Sequence, residues 1–275
     1  MKIGILTDSG CNLDQELLTR HQIDVMPLIL QFNSREYLAG IEIDKQTIAR
    51  RICEGEKLPT VTPPSVKAFA ARYRELAAEY DYLISLHTTQ ALSSAVDKAR
   101  AAAESVDELE ITVIDSGTTT LGLGLLVCLA GKLRDEGVNY PEIVELIRKA
   151  RRQVTVYLVV EDFSCVEKAG LIGKLKSYLL KNLNISLIFK SDWKTENLNQ
   201  ESYIWGHKNA ANELVSLIDN QIHGVDKAWV GWIYGSKQRN YSQVKKIFSS
   251  ALKDQQLSYY PFNSLLGVPL LAKVG

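Results

Sequence analysis

The first half of the chain alternates short apolar runs with segments of helical period, and that rhythm admits few folds other than a parallel sheet clothed in helices. The runs fall at residues 3–6, 23–30, 82–86 and 111–115. Between and after them, residues 13–21, 45–54, 66–79, 91–104 and 121–136 carry an apolar side chain every three or four positions, the spacing of one buried helix face. Capping residues open several of these segments: Asn12, Asp44, Ser65 and the hydroxyls of residues 116–120. The rhythm changes after a helix expected over 140–152. Strand runs at 157–160 and 185–190 flank a short-helix region at 162–182, followed by a strand at 201–206, a helix at 207–223, a strand run at 227–234, a helix at 241–253 and two short final strands. Two compact α/β lobes are expected, residues 1–150 and 151–275, with the boundary near Arg151 and Arg152.

Several classes of function are excluded by what the chain lacks. Lys and Arg total 32 and so do Asp and Glu, so no net field draws the chain to a phosphate backbone, and nucleic acid is not an expected partner. The longest apolar stretch, residues 121–133, contains Gly122, Gly124, Gly131 and Lys132 and falls short of the roughly 20 residues of a membrane span, so it reads as a buried helix. The opening MKIGILTDSG runs straight into a strand pattern without the signature of a signal peptide, which makes the cytoplasm the expected location. Cys11, Cys53, Cys128 and Cys165 lie far apart with no histidine at ligand spacing, so ordinary thiols and no metal site are expected. No phosphate-binding loop, dinucleotide fingerprint, nucleophile elbow or H-E-x-x-H motif occurs, and no cofactor is expected.

Residues with chemical potential gather where the expected strands end, the edge at which open α/β sheets build their sites. Thr7, Asp8 and Ser9 close the first run. Thr60 to Ser65 (TVTPPS) forms a second hydroxyl-rich loop, stiffened by Pro63 and Pro64. His87, Thr88, Thr89 and Gln90 leave the run at 82–86, with Ser93 and Ser94 just beyond, and DSGTTT at 115–120 leaves the last run. These loops hold many hydroxyls but no acid pair, metal cluster or base beside a nucleophile. Gly10 stands where a phosphatase-type nucleophilic aspartate at position 8 has its second acid, and His21, His87, His207 and His223 are scattered. The pattern suits binding a polar head group, with an apolar tail entering the interior between the lobes.

The order of motifs, over nearly the whole chain, resembles the DegV family of bacterial fatty-acid-binding proteins. TDS at 7–9 and MPL at 26–28 begin the match. TVTPPS is similar to the family's T-S-Q-P-S, TTQALSS at 88–94 to its S-S-x-L-S-G-T, and IDSGTTTLGLG at 114–124 to its I-D-S strand end and glycine helix; VEKAGLIG at 166–173 and LLKNLNISLIF at 179–189 are similar to its G-G-R-I segment and L-N-I-K-P-I strand. Departures fall on the head-group motifs: Val61 and Thr62 stand at the threonine and serine of the first, Thr89 and Gln90 at the paired serines of the second, with Ser94 and Ala95 at its G-T. Leu171 replaces the arginine of G-G-R, and LLGVP at 265–269 replaces H-x-G-P-G.

The resemblance implies an N-terminal three-layer α/β/α lobe on a parallel sheet and a C-terminal two-layer lobe on a mixed sheet, enclosing a long-chain fatty acid whose carboxylate meets loop hydroxyls. Thr62, Thr89 and Ser93 are the first candidates for ligand contact, with Thr88, Gln90, Ser9 and Ser116 beside them. It further implies a non-catalytic carrier that presents a bound acyl head group to a fatty acid kinase catalytic subunit. Two other readings use the same residues: an enzyme acting on a small hydroxylated or phosphorylated substrate through Asp8 and Asp115 with His87, and an interaction module that binds no ligand.

Overall fold

Side chains alternate across a strand, and Ile5 and Leu6, both wholly buried, face opposite layers of the molecule. The computed structural model describes residues 1–54, 56–160, 167, 173, 183, 185–194, 199–222, 229–231, 233–234, 258–259 and 264–265. The first part runs β1 (Ile3–Asp8), α1 (Gln15–Arg20), β2 (Ile23–Met26), β3 (Ile29–Phe32), β4 (Arg35–Leu38), α2 (Lys45–Cys53), β5 (Thr60–Thr62), α3 (Val66–Ala77), β6 (Tyr82–His87), α4 (Ala95–Ala103), β7 (Glu110–Asp115), α5 (Thr120–Asp135) and α6 (Tyr140–Ala150). Strands β2, β1, β6 and β7 form, in that order, an all-parallel sheet. On the Ile5 face, Leu17 of α1, Leu123 and Val127 of α5 and Ile143 and Ile147 of α6 pack against Ile84, Leu86 and Ile114. On the Leu6 face, Phe69, Tyr73 and Leu76 of α3 and Ala99 and Ala102 of α4 pack against Leu83. Each large apolar side chain so buried contributes about 1.5–3 kcal/mol, and the expected α/β/α layering is present.

The run at 23–30 is not one strand. Pro27 has no N–H to donate and restricts Met26 before it, so the run breaks: β2 stays in the parallel sheet while β3 turns into a separate antiparallel sheet of order β4-β3-β5. α2 covers that sheet through Ile48 and Ile52 against Leu30 and Phe32. Neither β4 nor β5 was expected, and β5 is carved from the TVTPPS loop. Two helix starts also move. Asp14, not Asn12, caps α1, accepting from the Leu17 N–H at 2.9 Å, while Asn12 closes a 3-10 turn over Ser9–Cys11 with φ of 57°. α4 begins at Ala95 rather than residue 91, because Leu92 and Ser93 donate their N–H groups to the Thr89 carbonyl in a turn. Asp44 and Ser65 cap α2 and α3 as expected.

The second part contains β8 (Thr155–Val160), β9 (Ile185–Asp192), β10 (Asn199–Trp205), α7 (His207–Ile222), β11 (Trp229–Val230), β12 (Ile233–Tyr234), β13 (Ser258–Tyr259) and β14 (Ser264–Leu265). Strands β10, β9 and β8 form an antiparallel sheet, with α7 packed on one face around Ile188, Ile204 and Ala210. The pairs β11–β13 and β12–β14 are parallel, so this part mixes both senses; the run at 227–234 is two strands rather than one. Val154 and Trp229 pack back on α5, where the Lys132 ammonium lies 5.4 Å from the Trp229 ring centroid. Most of the expected short-helix region at 162–182, the helix at 241–253, most of the motif at 166–173 with Leu171, and residues 266–269 lie outside the described residues. Among the described residues no helix is long and apolar enough to cross a membrane.

Candidate functional site

The chain leaves β1 through α1 on one face of the sheet and leaves β6 through α4 on the other. That reversal makes the gap between the carboxyl ends of β1 and β6 the switch point at which such sheets bind ligands. Here the gap is laced by the wholly buried Asp8. Its carboxylate accepts from the Gly10 N–H (2.9 Å), the Thr88 N–H (2.9 Å) and the Thr88 hydroxyl (2.8 Å), and lies 3.2 Å from Nδ1 of His87. An ionised carboxylate only accepts, so Nδ1 carries the proton of that bond. The contacts continue inward from Nε2 of His87 to the Ser85 hydroxyl (2.7 Å) and on to the Tyr73 hydroxyl (2.8 Å), all without solvent exposure. Burial pushes the Asp8 carboxyl up, but the His87 hydrogen bond and charge and the Thr88 hydrogen bonds outweigh it and hold the carboxyl below its usual range. Burial raises the Tyr73 phenol, against the smaller pull of its Ser85 hydrogen bond.

Asp115, at the end of β7, is likewise engaged: its side chain accepts from the N–H groups of Gly117 (2.9 Å) and Gln90 (3.3 Å), and its carbonyl accepts from the Arg151 guanidinium at 2.6 Å. Asp8, His87 and Asp115 therefore do sit at one sheet edge, as the topology promised. Asp8 and His87, however, bond to protein groups in a closed interior rather than facing a substrate.

The second hydroxyl loop reaches this edge through the small antiparallel sheet. Ser9 Oγ accepts from the Leu28 N–H at 3.0 Å, and the next residue, Ile29, pairs with Thr62 across β3 and β5. Neighbouring strands lie about 5 Å apart, so Thr62 lies in the strand flanking Ile29, one residue past the Leu28 N–H that Ser9 holds. Pro63, immediately after Thr62, receives the Lys98 ammonium on its carbonyl at 3.3 Å, which ties this loop to α4 just beyond Ser93. Ser93 Oγ accepts from the Ala95 N–H at 3.2 Å. Among the described residues the Ser9 and Ser93 hydroxyl protons and the whole Thr62 hydroxyl thus have no partner, and the three residues are half-buried, half-buried and exposed respectively.

The other expected contacts have different surroundings. Thr88 is taken up by Asp8. Ser116 is wholly buried, donates to the Thr118 carbonyl at 2.9 Å and accepts from the Thr118 N–H in a local turn; within the expected capping stretch it is Thr119 that stands at the N-cap of α5, without a side-chain bond. Gln90 points outward, bonded to Asp97 and Arg100 of α4. Thr89 is buried in the turn, its N–H on the Thr118 carbonyl. Sequence reasoning missed Lys98 and Arg151, because nothing local distinguishes a lysine on a helix or an arginine at a boundary from a surface cation. It also missed the Ser85–Tyr73 contact, for which alternation within β6 was the available signal. Thr7, Asn12, Thr119 and Thr120 are buried with side-chain polar atoms that have no partner among the described residues. Burial pushes the Cys11 and Cys128 thiols up to about 12, so both stay protonated. Among the described residues no group of side chains has the makings of a metal site. An open groove between α1 and β2, lined by Gln15, Leu18, Gln22, Asp24 and Tyr80, lies at the opposite end of β2 from these loops.

The same architecture recurs in proteins of known structure. A DegV family protein from Thermus thermophilus, described for its fatty acid binding, superposes with a TM-score of 0.84 over 100% of this chain and 96% of its own at 24% identity. A stearic acid-binding protein from Eubacterium ventriosum reaches 0.84 over 99% and 94% at 19% identity. In sequence, protein DegV of Bacillus subtilis is 27% identical over 271 residues, which span 98% of this chain and 96% of the relative. The family model described as "Uncharacterised protein, DegV family" matches residues 2–271. With that match running through both parts of the fold and every hydroxyl loop at the sheet edge, the chain belongs to the DegV family.

Proposed function

We propose that the protein is a non-catalytic carrier of a long-chain fatty acid, which it holds between an N-terminal lobe, residues 1–150, and a C-terminal lobe, residues 151–275. The observation that carries this reading is the division of labour at the sheet edge: Asp8 is held by buried protein donors and Asp115 by backbone N–H groups, while the neutral hydroxyls of Ser9, Thr62 and Ser93, on segments tied together by the Ser9–Leu28 and Lys98–Pro63 bonds, keep donors with no partner among the described residues. Thr62 and Ser93 hold the carboxylate, with Ser9 and the buried Thr89 in the segments beside them; Thr88, Gln90 and Ser116 shape the loops. A hydrogen bond to a charged acceptor is worth about 1.5–3 kcal/mol, so a few such donors offset the several kcal/mol lost when a carboxylate leaves water. Solved relatives that bear the same fold over nearly the whole chain and are named for fatty acid binding support the choice of ligand. The closed Asp8–His87–Ser85–Tyr73 interior supports a carrier over the enzyme reading, since none of these four side chains has any solvent exposure.

The test is denaturation of purified protein, extraction with organic solvent and mass spectrometry of the extract against an unrelated control. A fatty acid near one per chain is expected; an extract that matches the control, together with no uptake of added oleic acid, sinks the proposal. The carrier role places the protein in the cytoplasm and has it present the acyl head group to a fatty acid kinase catalytic subunit. Mixing the loaded protein with such a subunit and ATP is expected to give acyl phosphate, and no product with any loaded acid would remove that partner.

A further inference from the structure

We propose that Lys98 supplies the positive charge that pairs with the carboxylate of the bound acid, an inference that rests on the carrier reading above. Lys98 is in the second turn of α4, its N–H bonded to the Ser94 carbonyl at 3.1 Å. Cβ atoms on a helix tilt toward its N-terminus, so the lysine stem runs back over the first turn, toward Ser94 and Ser93. Its ammonium comes to rest 3.3 Å from the Pro63 carbonyl. One cation therefore bridges the two segments that carry Thr62 and Ser93, although these are far apart in sequence.

The surroundings of the ammonium suit an anion. The side chain is half-buried, and no carboxylate of the described residues lies within ion-pair distance of it. Its sequence neighbour Asp97 is engaged by the Gln90 amide instead. A neutral proline carbonyl takes one N–H of the ammonium, and an ammonium has three to donate. A cation partly withdrawn from water with no counter-charge among the described residues gains most from an anion that arrives with the ligand. Lys98 thus determines the class of head group: an acid binds, while a neutral alcohol of the same chain forgoes the charge pairing.

The experiment measures partition of oleic acid and of oleyl alcohol between the protein and a hydrophobic resin for wild type, Lys98→Met and Lys98→Arg, with thermal melts as the folding check. Lys98→Met is expected to weaken oleic acid by about tenfold, equivalent to about 1.4 kcal/mol, and to leave oleyl alcohol unchanged; Lys98→Arg, which keeps the charge, stays within about threefold of wild type. Wild type that takes up oleic acid as tightly as Lys98→Met overturns the role of Lys98 and leaves the carrier reading standing. Equal loss of acid and alcohol also overturns it, because that pattern belongs to a packing role. Wild type that takes up neither lipid defeats the carrier reading and this inference with it.

Discussion

Nδ1 of His87 lies 3.2 Å from Oδ2 of Asp8 in an interior where neither side chain has any solvent exposure. The pair joins the ends of β1 and β6, and Asp8 is also the acceptor for Gly10 and Thr88. Replacing Asp8 by Ala strands these donors in a dry interior, so it is expected to cost about 3–5 kcal/mol, the range for breaking a buried charged pair from one side. Urea unfolding checks this, and a loss below about 1 kcal/mol contradicts the assigned network.

The same carboxylate makes stability depend on acid. Folding holds Asp8 below its ordinary value of 3.8, so the unfolded chain binds that proton more readily than the folded one. The contribution is complete above the unfolded value and is lost as pH falls from there through the lower folded value. Stability of the wild type is expected to fall steeply below about pH 4, and that of Asp8→Asn, weaker at neutral pH, to fall less. Parallel slopes for the two proteins would rule out Asp8 as the source.

Hydroxyls at the sheet edge are expected to separate into two groups by their response to mutation. Thr88→Val removes a buried donor to Asp8 and should lower stability by about 1.5–3 kcal/mol. Thr62→Val and Ser93→Ala should leave the unfolding midpoint close to wild type and weaken oleic acid binding several-fold. Lipid partition and urea unfolding on the same preparations distinguish the groups; a Thr62→Val protein that melts early and binds normally reverses the assignment.

Gly124 packs α5 against the turn at Ser9–Cys11. A methyl group there would stand 2.6 Å from the Cys11 carbonyl and 2.9 Å from Leu13, and a backbone atom cannot swing aside. Gly124→Ala is expected to destabilise by about 1–3 kcal/mol despite alanine's better helix propensity. At Gly131 the near atoms are Cβ and Cγ of His21, at 2.7 and 2.9 Å; Cβ is fixed by the backbone, so Gly131→Ala is also expected to destabilise. Thermal melts of the two variants check both losses.

Gln22 is exposed and follows the end of α1 with φ of 41°, in the left-handed region that glycine adopts without a Cβ penalty. Gln22→Gly is expected to be neutral or to stabilise by up to about 1 kcal/mol, whereas Gln22→Val should destabilise. A valine variant as stable as the wild type would contradict the assigned backbone.

The parallel sheet and its layers were legible in the chain because they rest on local periodicity: Ile5 and Leu6 alternate within one strand, and α3 shows its apolar stripe within one helix. The β3–β5 sheet was not, since REYL and TVT are too short and too polar to carry a period, and the break at Pro27 was hidden inside an unbroken apolar run. The hydroxyl loops were legible as clusters, and the motif resemblance put Ser93 ahead of Ser116 without telling which hydroxyl is committed within the protein. One has a proton still to donate, and the other is closed on Thr118.

The sequence by itself determined the family, the α/β layering and the edge at which the polar loops gather, because each depends on spacing within a few turns or on motif order. The tertiary structure alone decided which groups are committed. Asp8 meets Thr88 across 80 positions and Lys98 meets Pro63 across 35. A hydrogen bond reaches only about 3 Å, so whether a side chain is engaged or available is settled by the folded chain that brings its partner within that distance.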